Sequence, residues 1–529
     1  MQLQNLRFGR EPVMLIGSAI LTGLTLVFPI LGFLEWITMI PLFLALYRLC
    51  EDESFGLRRA YRLGFLTVFS YYLVLYHWFI RLYPLDFVGL DHLASAVIVV
   101  VAWLGLALLQ ALPGGLYFLL FRWMHKVGLF DRFPILKPFV FSGLWVVFEW
   151  TSTLTFAGVP WGRLALGQIK YLPMLQTASL FGSYFVSFLI LLINGLLAYA
   201  IFCRAKWVVS VAVAGALLVS NLSYGLIARA VMEKPTETVR VAVIQGNISS
   251  HEKWSGRNLL KIQMVYEDLT RQAVADGAEL ILWPETVLPY ALNERGDLEE
   301  YVSDLARECN VTLILGSFLD VDVDKGYNVL YFVEPDGTIR NEYYAKRHLV
   351  PFGEYVPMKS LVETLIPPLA ELTDLGGELL PGKDTALFET QYGTLGSLIC
   401  FDSIYETLAL QSVRDGAEIM LVSSNDSWFY DSAAVYQHEA QSQLRAIECG
   451  RYFVRSANTG ISTVIAPDGK LLVQIDPLEK GYAVAEVSPI DARTPYSVIG
   501  NLFIYIWIVL LVGFSGVGVF FWARKKKKR

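Results

Sequence analysis

The chain has 529 residues, enough for two or three domains; 54% are hydrophobic and 17% charged, against about 25% charged in soluble domains. That deficit excludes an ordinary water-soluble globule and points to a membrane. The formal net charge is −6 and the one strong basic cluster is the tail 524–529. Nucleic acid is therefore excluded as a partner, because such a cluster beside a span fixes orientation or meets anionic headgroups.

A spanning helix needs about 20 mostly apolar residues. Candidate spans fall at 12–31, 33–49, 61–82, 94–122, 134–156, 173–202, 206–227 and 498–522. The first run is followed at once by others and does not read as a cleavable signal peptide. Arg7 and Arg10, then Arg58, Arg59 and Arg62, then Arg122, Lys126, Arg132 and Lys137, then Arg204 and Lys206, and finally the tail, all fall on one side if the spans alternate. The opposite loops hold mainly Arg81, Arg163 and Lys170. This asymmetry predicts both termini in the cytoplasm and the polar region outside it. The expected organisation is a transmembrane domain of about seven helices over 1–227, an extracytoplasmic domain over 228–496, and a last span with a basic cytoplasmic tail over 497–529. Glu149 falls inside a span, and an intramembrane carboxylate is a functional candidate.

The polar region alternates strands and helices. Strands are predicted at 239–244, 280–283, 311–318, 327–333, 338–345, 394–399, 418–422, 452–457 and 461–466, with a further strand after the turn 467–469. Helices are predicted at 259–275, 298–309, 403–413 and 438–451. This is an α/β layered domain. Asp276-Gly277-Ala278-Glu279 before one buried strand is echoed by Asp415-Gly416-Ala417-Glu418 before another. Those strands end in Glu285 and Asn425, which suits a site at the carboxyl ends of strands.

The five cysteines, Cys50, Cys203, Cys309, Cys400 and Cys449, contain no CxxC pair. Neither a disulfide framework nor a zinc site is expected. Cys50 and Cys203 fall at span ends; Cys309 and Cys449 suit small buried positions in helices. Cys400 ends a strand and precedes a helix. Taken alone, Glu285 reads as a loop carboxylate, Lys346 as a surface cation and Cys400 as a core residue. Together, at strand ends in the order Glu, Lys, Cys, they supply a base, a cation and a nucleophile. A helix N-terminus and a neighbouring ammonium would favour a thiolate at Cys400. Glu285 could take the thiol proton, and Lys346 could hold a developing oxyanion.

Trp283-Pro284-Glu285, Lys346 and Cys400 after an apolar strand resemble the nitrilase superfamily, which implies an αββα sandwich with a Glu-Lys-Cys triad. Further motifs are similar to the apolipoprotein N-acyltransferase family. They are 243–248 followed by Lys253-Trp254, 351–357, 425–429, Gln437-His438, 445–448, Arg451, 458–460, and in the membrane half Pro160-Trp161, Gly167-Gln168 and Asn194. The resemblance implies a bacterial inner-membrane enzyme with its catalytic domain on the periplasmic or outer side. It implies ping-pong transfer of an acyl chain from a phospholipid to Cys400, then to the α-amine of a diacylglyceryl-cysteine in an apolipoprotein. No metal or diffusible cofactor is required, and a monomer is expected. Glu354 is expected to orient Lys346 or the thiol; Trp254, Phe401, Asp402, Asn425 and Trp428 are further supporting or substrate-binding candidates. Phe401-Asp402 departs from the Tyr-Glu common in the family, which bears on the fit of the second substrate. A membrane-tethered amidase or nitrile hydrolase is a rival, but a tether needs one span, not eight. A transporter or lipid-binding module with a degenerate outer domain is disfavoured by the intact triad. The apolar stretch 361–375 reads as a lid that dips into lipid, with Trp428, Phe429 and Tyr430 as an opposite wall.

Overall fold

The long apolar runs become helices in the computed structural model, which describes residues 9–85, 91–154, 158–232, 237–254, 258–322, 325–360, 364 and 378–527. Its contacts divide the chain into a helical unit, Met1–Ile80 with Ile98–Met232 and Ile499–Arg529, and an α/β unit, Arg81–Val97 with Glu233–Val498.

The main helices before the α/β region are α1 (Arg10–Val27), α2 (Ile40–Glu51), α3 (Leu57–Leu75), α4 (His92–Lys126), α5 (Leu136–Thr151), α6 (Ser183–Phe202) and α7 (Trp207–Ala230). With the C-terminal helix Leu502–Lys527, they correspond to the eight expected spans. Among the described residues, six helical segments are long and apolar enough to cross a membrane. The two that are not are α3, whose first turns carry Arg58, Arg59 and Arg62, and α5, which has only 16 residues. The run 173–202 is not one helix: Leu172–Leu175 and Ala178–Phe181 are short turns, and Gly182 at φ +81° breaks the chain before α6. The run 33–49 is likewise divided into a 3-10 turn Pro29–Leu34, a short helix Glu35–Thr38, and α2 with proline in its first turn.

Several polar side chains inside this unit are paired. The Gln168 amide donates to the Gly32 carbonyl (2.7 Å) and to Glu35 (2.6 Å), and its oxygen accepts from Trp36 Nε1 (3.0 Å). Asn194 donates to the Glu35 carbonyl (2.8 Å) and accepts from the Met39 amide (2.9 Å). Buried amides that found no partner would cost several kcal/mol in hydrocarbon. Glu149 accepts from Trp145 Nε1 (3.2 Å) and the Leu164 amide (3.1 Å), so it ties α5 to the turns after it. The C-terminal helix belongs to this same unit: Trp507 lies 4.8 Å from Phe188, and Phe503 5.4 Å from Phe185, between ring centres.

In the α/β unit, β1 (Val239–Gln245), β2 (Leu280–Leu282), β3 (Thr312–Asp322), β4 (Lys325–Val333) and β5 (Tyr344–Ala345) form one sheet, flanked by β6 (Glu378–Leu379) on β4 and closed at the other edge by β13 below. The second sheet holds β7 (Phe388–Thr390), β8 (Gly393–Ile399), β9 (Ile419–Ser424), β10 (Tyr452–Ala457), β11 (Ser462–Ile465) and β12 (Leu471–Ile475). The last strand, β13 (Gly481–Val487), returns to pair with β1. Helices α8 (Leu259–Ala275), α9 (Gly296–Cys309), α10 (Glu406–Asp415) and α11 (Ala433–Cys449) complete four layers. Alternate side chains explain the layering. Val241, Leu282 and Ile314 meet Leu395, Leu421 and Val454 between the sheets, while Ala242, Ile281 and Leu313 meet Ile262, Leu269 and Leu305 on the helix side. Each such aliphatic side chain contributes about 1.5–3 kcal/mol by leaving water.

The sequence echo is a structural repeat. Strands β1, β2 and β3 run parallel and β4 returns antiparallel; β8, β9, β10 and β11 do the same. Gly277 at φ +85° ends α8 and Gly416 at φ +124° ends α10, a backbone region that glycine enters without a Cβ penalty. Glu279 then brackets Arg240 by backbone and side chain, and Glu418 brackets Thr394 in the same way. The repeats meet at their strand ends, where Ser423 Oγ donates to the Trp283 carbonyl (3.1 Å).

Two predicted elements are markedly shorter than expected. Of 338–345 only Tyr344 and Ala345 pair as strand, with an isolated bridge at Ile339, because Arg340 turns aside to Glu334 and the Glu389 carbonyl (2.7 Å). The helix expected at 403–413 starts at Glu406, since Cys400–Ile404 is a tighter 3-10 turn. Strands β6, β7 and β13 had no signal strong enough to be expected.

Candidate active site

Strand β2 is three buried aliphatic residues, and the chain leaves it through Trp283 and Pro284 to deliver Glu285 at the carboxyl edge of the sheet. Lys346 follows β5 immediately, and its amide is held by the Asn328 carbonyl of β4 (2.8 Å). The two side chains meet: Lys346 Nζ donates to Glu285 Oε1 (2.9 Å) and to Glu354 Oε1 (2.9 Å). Asn328 Nδ2 donates to the same two oxygens, at 2.7 and 3.2 Å. Glu354 Oε2 accepts from the Val350 amide (2.8 Å). Glu285 is 5% exposed and Lys346 2%, so this is a buried ion cluster. Burial alone would raise Glu285, but the Lys346 charge and the hydrogen bonds of Lys346 and Asn328 hold its carboxyl below the usual value. Burial, reinforced by the Glu285 charge, raises Glu354 despite Lys346. Burial opposes the Lys346 charge, and the two carboxylates overcome it, keeping the ammonium protonated well above its ordinary range. The cluster thus favours an ionised Glu285 and a protonated Lys346, with Glu354 the carboxyl nearer neutrality.

Cys400 stands at the end of β8 with φ +50°, a left-handed conformation unusual for a residue with a Cβ. It is partly buried, close enough to Glu285 and Lys346 for each to bear on its ionisation. The expected resting thiolate is not favoured. Burial, then the Glu285 carboxylate, push the thiol well up, and Lys346 offsets this only in part. The five-residue 3-10 turn that starts at Cys400 offers little dipole to offset this. These surroundings favour a thiol at Cys400 beside a carboxylate at Glu285.

Asp402 is fully buried and works as a staple. It accepts from Tyr344 Oη (2.9 Å), the His348 amide (2.7 Å), the Arg347 amide (3.3 Å) and the Ile399 amide (3.2 Å). One carboxylate thereby fastens the Lys346 strand end to the Cys400 strand end. Its side chain points into the protein, so the shorter arm relative to Tyr-Glu bears on this fastening. Phe401 stacks edge-on with Tyr405 at 5.5 Å. Trp254, 38% exposed, lies 6.0 Å from Phe318 with Lys253 Nζ 5.2 Å over its ring. Asn425 accepts from Asn458 Nδ2 (2.9 Å), a bond that joins the ends of β9 and β10. Trp428 is partly buried and Tyr430 exposed. Of the expected lid, 361–363 and 365–375 lie outside the described residues.

Several neighbours fall outside the expected site residues, although Lys253, Asp426 and His438 belong to motifs noted in the sequence. Asn328 looks like any strand residue until β4 places it under both carboxylates. Lys253 is buried, donates to Thr286 Oγ1 (2.5 Å) and the Glu285 carbonyl (3.3 Å), and burial lowers it to about 7 against the pull of Glu285. His438, Asp426 and Arg455 lie behind Cys400. A lysine directly before a tryptophan in a chain with few charges was the available signal for Lys253; for Asn328 there was none.

The chain is similar to known proteins over both of its parts. The carbon-nitrogen hydrolase family matches residues 240–494, and the apolipoprotein N-acyltransferase N-terminal domain matches residues 18–196. The apolipoprotein N-acyltransferase of Geobacter metallireducens is 31% identical over 507 residues, covering 93% of this chain and 92% of that one. The protein of the same name from Gloeobacter violaceus is 30% identical over 440 residues, covering 83% and 81%. Among solved structures, Nit3 of Saccharomyces cerevisiae, a nitrilase-superfamily member, is 20% identical with a TM-score of 0.38, covering 48% of this chain and 91% of that one.

Proposed function

The chain belongs to the apolipoprotein N-acyltransferase family, and from that premise we propose that Glu285, Lys346 and Cys400 are the residues through which it N-acylates lipoproteins. It is a membrane protein whose α/β unit has the nitrilase fold, and its substrates are a phospholipid and a lipoprotein. The observation that carries the residue assignment is the buried ion cluster: an ionised Glu285 and a fixed Lys346 cation bearing on the thiol of Cys400.

The reaction follows from those protonation states. Glu285 takes the Sγ proton as the sulfur attacks the ester carbonyl of a phospholipid. A tetrahedral oxyanion forms near the Lys346 ammonium, which stabilises it without reorganising. The C–O bond breaks, the proton passes from Glu285 to the departing alkoxide, and a lysophospholipid leaves a thioester on Cys400. The α-amine of a diacylglyceryl-cysteine then attacks the thioester. Glu285 removes the amine proton, the C–S bond breaks, and the proton returns to sulfur. Glu354 shares its donors with Glu285 and positions Lys346, while Asp402 holds the Lys346 and Cys400 strand ends together. Trp254, Phe401, Asn425 and Trp428 are placed by this reading around the entrance for substrate.

The domain reading is a transmembrane domain over 1–227, a catalytic domain over 228–496 on the periplasmic or outer face of the bacterial cytoplasmic membrane, and a final helix with a cytoplasmic tail over 497–529. The Lys and Arg asymmetry supports that orientation. The protein acts as a monomer on this reading. Reconstitution into phosphatidylethanolamine vesicles with a synthetic diacylglyceryl-cysteinyl peptide tests the activity. The expected product is the peptide with an amide-linked acyl chain on its α-amine, and an N-acetylated peptide should gain none. Hydrolysis of the phospholipid to free fatty acid, with no peptide product, would favour the amidase-like alternative.

A further inference from the structure

Cys400 carries a left-handed backbone conformation, φ +50°, that is costly for a non-glycine residue, and such strain persists only where surrounding contacts fix it. Two contacts converge on the Cys400 carbonyl. Ser403 Oγ donates to it at 2.7 Å, and His438 Nε2 lies 3.2 Å from it. Nε2 is also 3.3 Å from Ser403 Oγ, whose own proton is already directed at that carbonyl. Both of these neighbours of Nε2 can accept, which suits a proton on Nε2.

The ring is held from behind. His438 Nδ1 lies 2.8 Å from Asp426 Oδ1 and 3.1 Å from Arg455 Nη2. Arg455 Nη2 donates to Asp426 Oδ2 (2.7 Å), and Ser424 Oγ donates to Asp426 Oδ1 (2.8 Å). Asp426 itself has φ +55°, and a Cβ on Gly460 would collide with its carboxylate. Asp426, His438 and Arg455 are buried, between 0% and 2% exposed. Burial would raise Asp426, but the His438 and Arg455 charges hold its carboxyl far below the usual range. A buried array of this size is costly unless fully satisfied. The steps assigned to Glu285, Lys346 and Cys400 call on neither His438 nor Arg455, yet the array ends on the carbonyl of Cys400.

We propose that His438, oriented by Asp426 and Arg455, is a positioning residue that holds the left-handed backbone of Cys400 and so aims Sγ at the ester carbonyl and at Glu285. The inference rests on the assignment of Cys400 as nucleophile. An ion-pair role for His438, of the kind that activates thiols in other enzymes, is not what the geometry offers: Nε2 faces the carbonyl of Cys400. A metal role competes as well, because Cys400 Sγ, an Asp426 oxygen and a His438 nitrogen lie within 4.8 Å of one another. Arg455, already seated on Asp426, opposes a second cation there.

The test is acyl-enzyme formation by the full-length protein in vesicles, with metal content measured on the same samples. His438→Ala should lower the acylation rate constant about 100-fold, the cost of misplacing a reacting atom by about 1 Å, with KM for phospholipid unchanged. His438→Gln, whose amide can donate to the same carbonyl, should recover to within about tenfold of the parent. Cys400→Ala separates the two layers of the account: activity there refutes the nucleophile, whereas an inactive Cys400→Ala beside a fully active His438→Ala refutes only the positioning role. Should His438→Ala fail to fold, His438→Gln and His438→Phe at matched melting temperature decide; equal losses in both would overturn the donor role. Stoichiometric zinc in the parent protein that disappears in His438→Gln would overturn it in favour of a metal site.

Discussion

Replacing Lys346 by methionine probes the cluster most severely. Methionine fills similar space but donates nothing, so two contacts of 2.9 Å are lost; Glu285 keeps the Asn328 amide, and Glu354 keeps that amide and the Val350 N–H. Leaving buried charge unpaired costs about 3–5 kcal/mol, and the cluster relieves it by protonating a carboxylate. Glu285 is held low by Lys346, so its loss raises Glu285. Because Glu285 works as a base only when ionised, activity is present above its pKa and lost below it. The acid limb of the acylation profile must therefore move to higher pH in Lys346→Met. At the optimum the rate should also fall about 100- to 1000-fold, the usual cost of an oxyanion donor. Stopped-flow acylation by a soluble p-nitrophenyl ester across pH measures both. An acid limb that stays in place or moves to lower pH would refute the electrostatic reasoning, whatever the size of the rate loss.

Four further outcomes follow from individual contacts. Glu354→Gln should keep about ten times more activity than Glu354→Ala, since Gln can still accept from Lys346 but loses the Val350 amide; steady-state rates compare them. Asp402→Ala strands three backbone amides and the Tyr344 hydroxyl, and at about 1 kcal/mol or more for each unsatisfied group it should lower the melting temperature and the acylation rate together. Gly316→Ala should slow acylation about tenfold or more with phospholipid KM unchanged, because its Cβ would meet the Pro284 carbonyl and the Thr286 amide at 2.6 Å and push Glu285 out of line. Single-cysteine labelling should reach Asp336→Cys from outside and Lys527→Cys only from the cytoplasm; a cytoplasmic Asp336 would overturn the orientation.

Period-two burial and glycine-ended helices made most of the sandwich legible from sequence: 259–275 was read to the residue, and the Asp-Gly-Ala-Glu echo marked a real repeat because each glutamate must bracket the neighbouring strand. The placement of Glu285, Lys346 and Cys400 at strand ends was legible. Their electrostatics were not, since a thiol's ionisation depends on how deeply a turn is buried and which carboxylate faces it. Asn328 and Asp402 gained their roles only from cross-strand neighbours many residues away. Interruptions in the apolar runs, such as Gly182, were obscured because hydropathy averages over a turn as readily as over a helix.

The central claim is that Cys400 carries the acyl chain. Incubating the full-length protein with isotope-labelled phospholipid, quenching in acid and mapping peptides by mass spectrometry reads this directly. The account predicts one labelled thioester, on the peptide containing Cys400, lost on addition of a diacylglyceryl-cysteinyl peptide and absent from Cys400→Ala. A label on Cys50, Cys203, Cys309 or Cys449 in its place, or acyl transfer by Cys400→Ala at the parental rate, would contradict it.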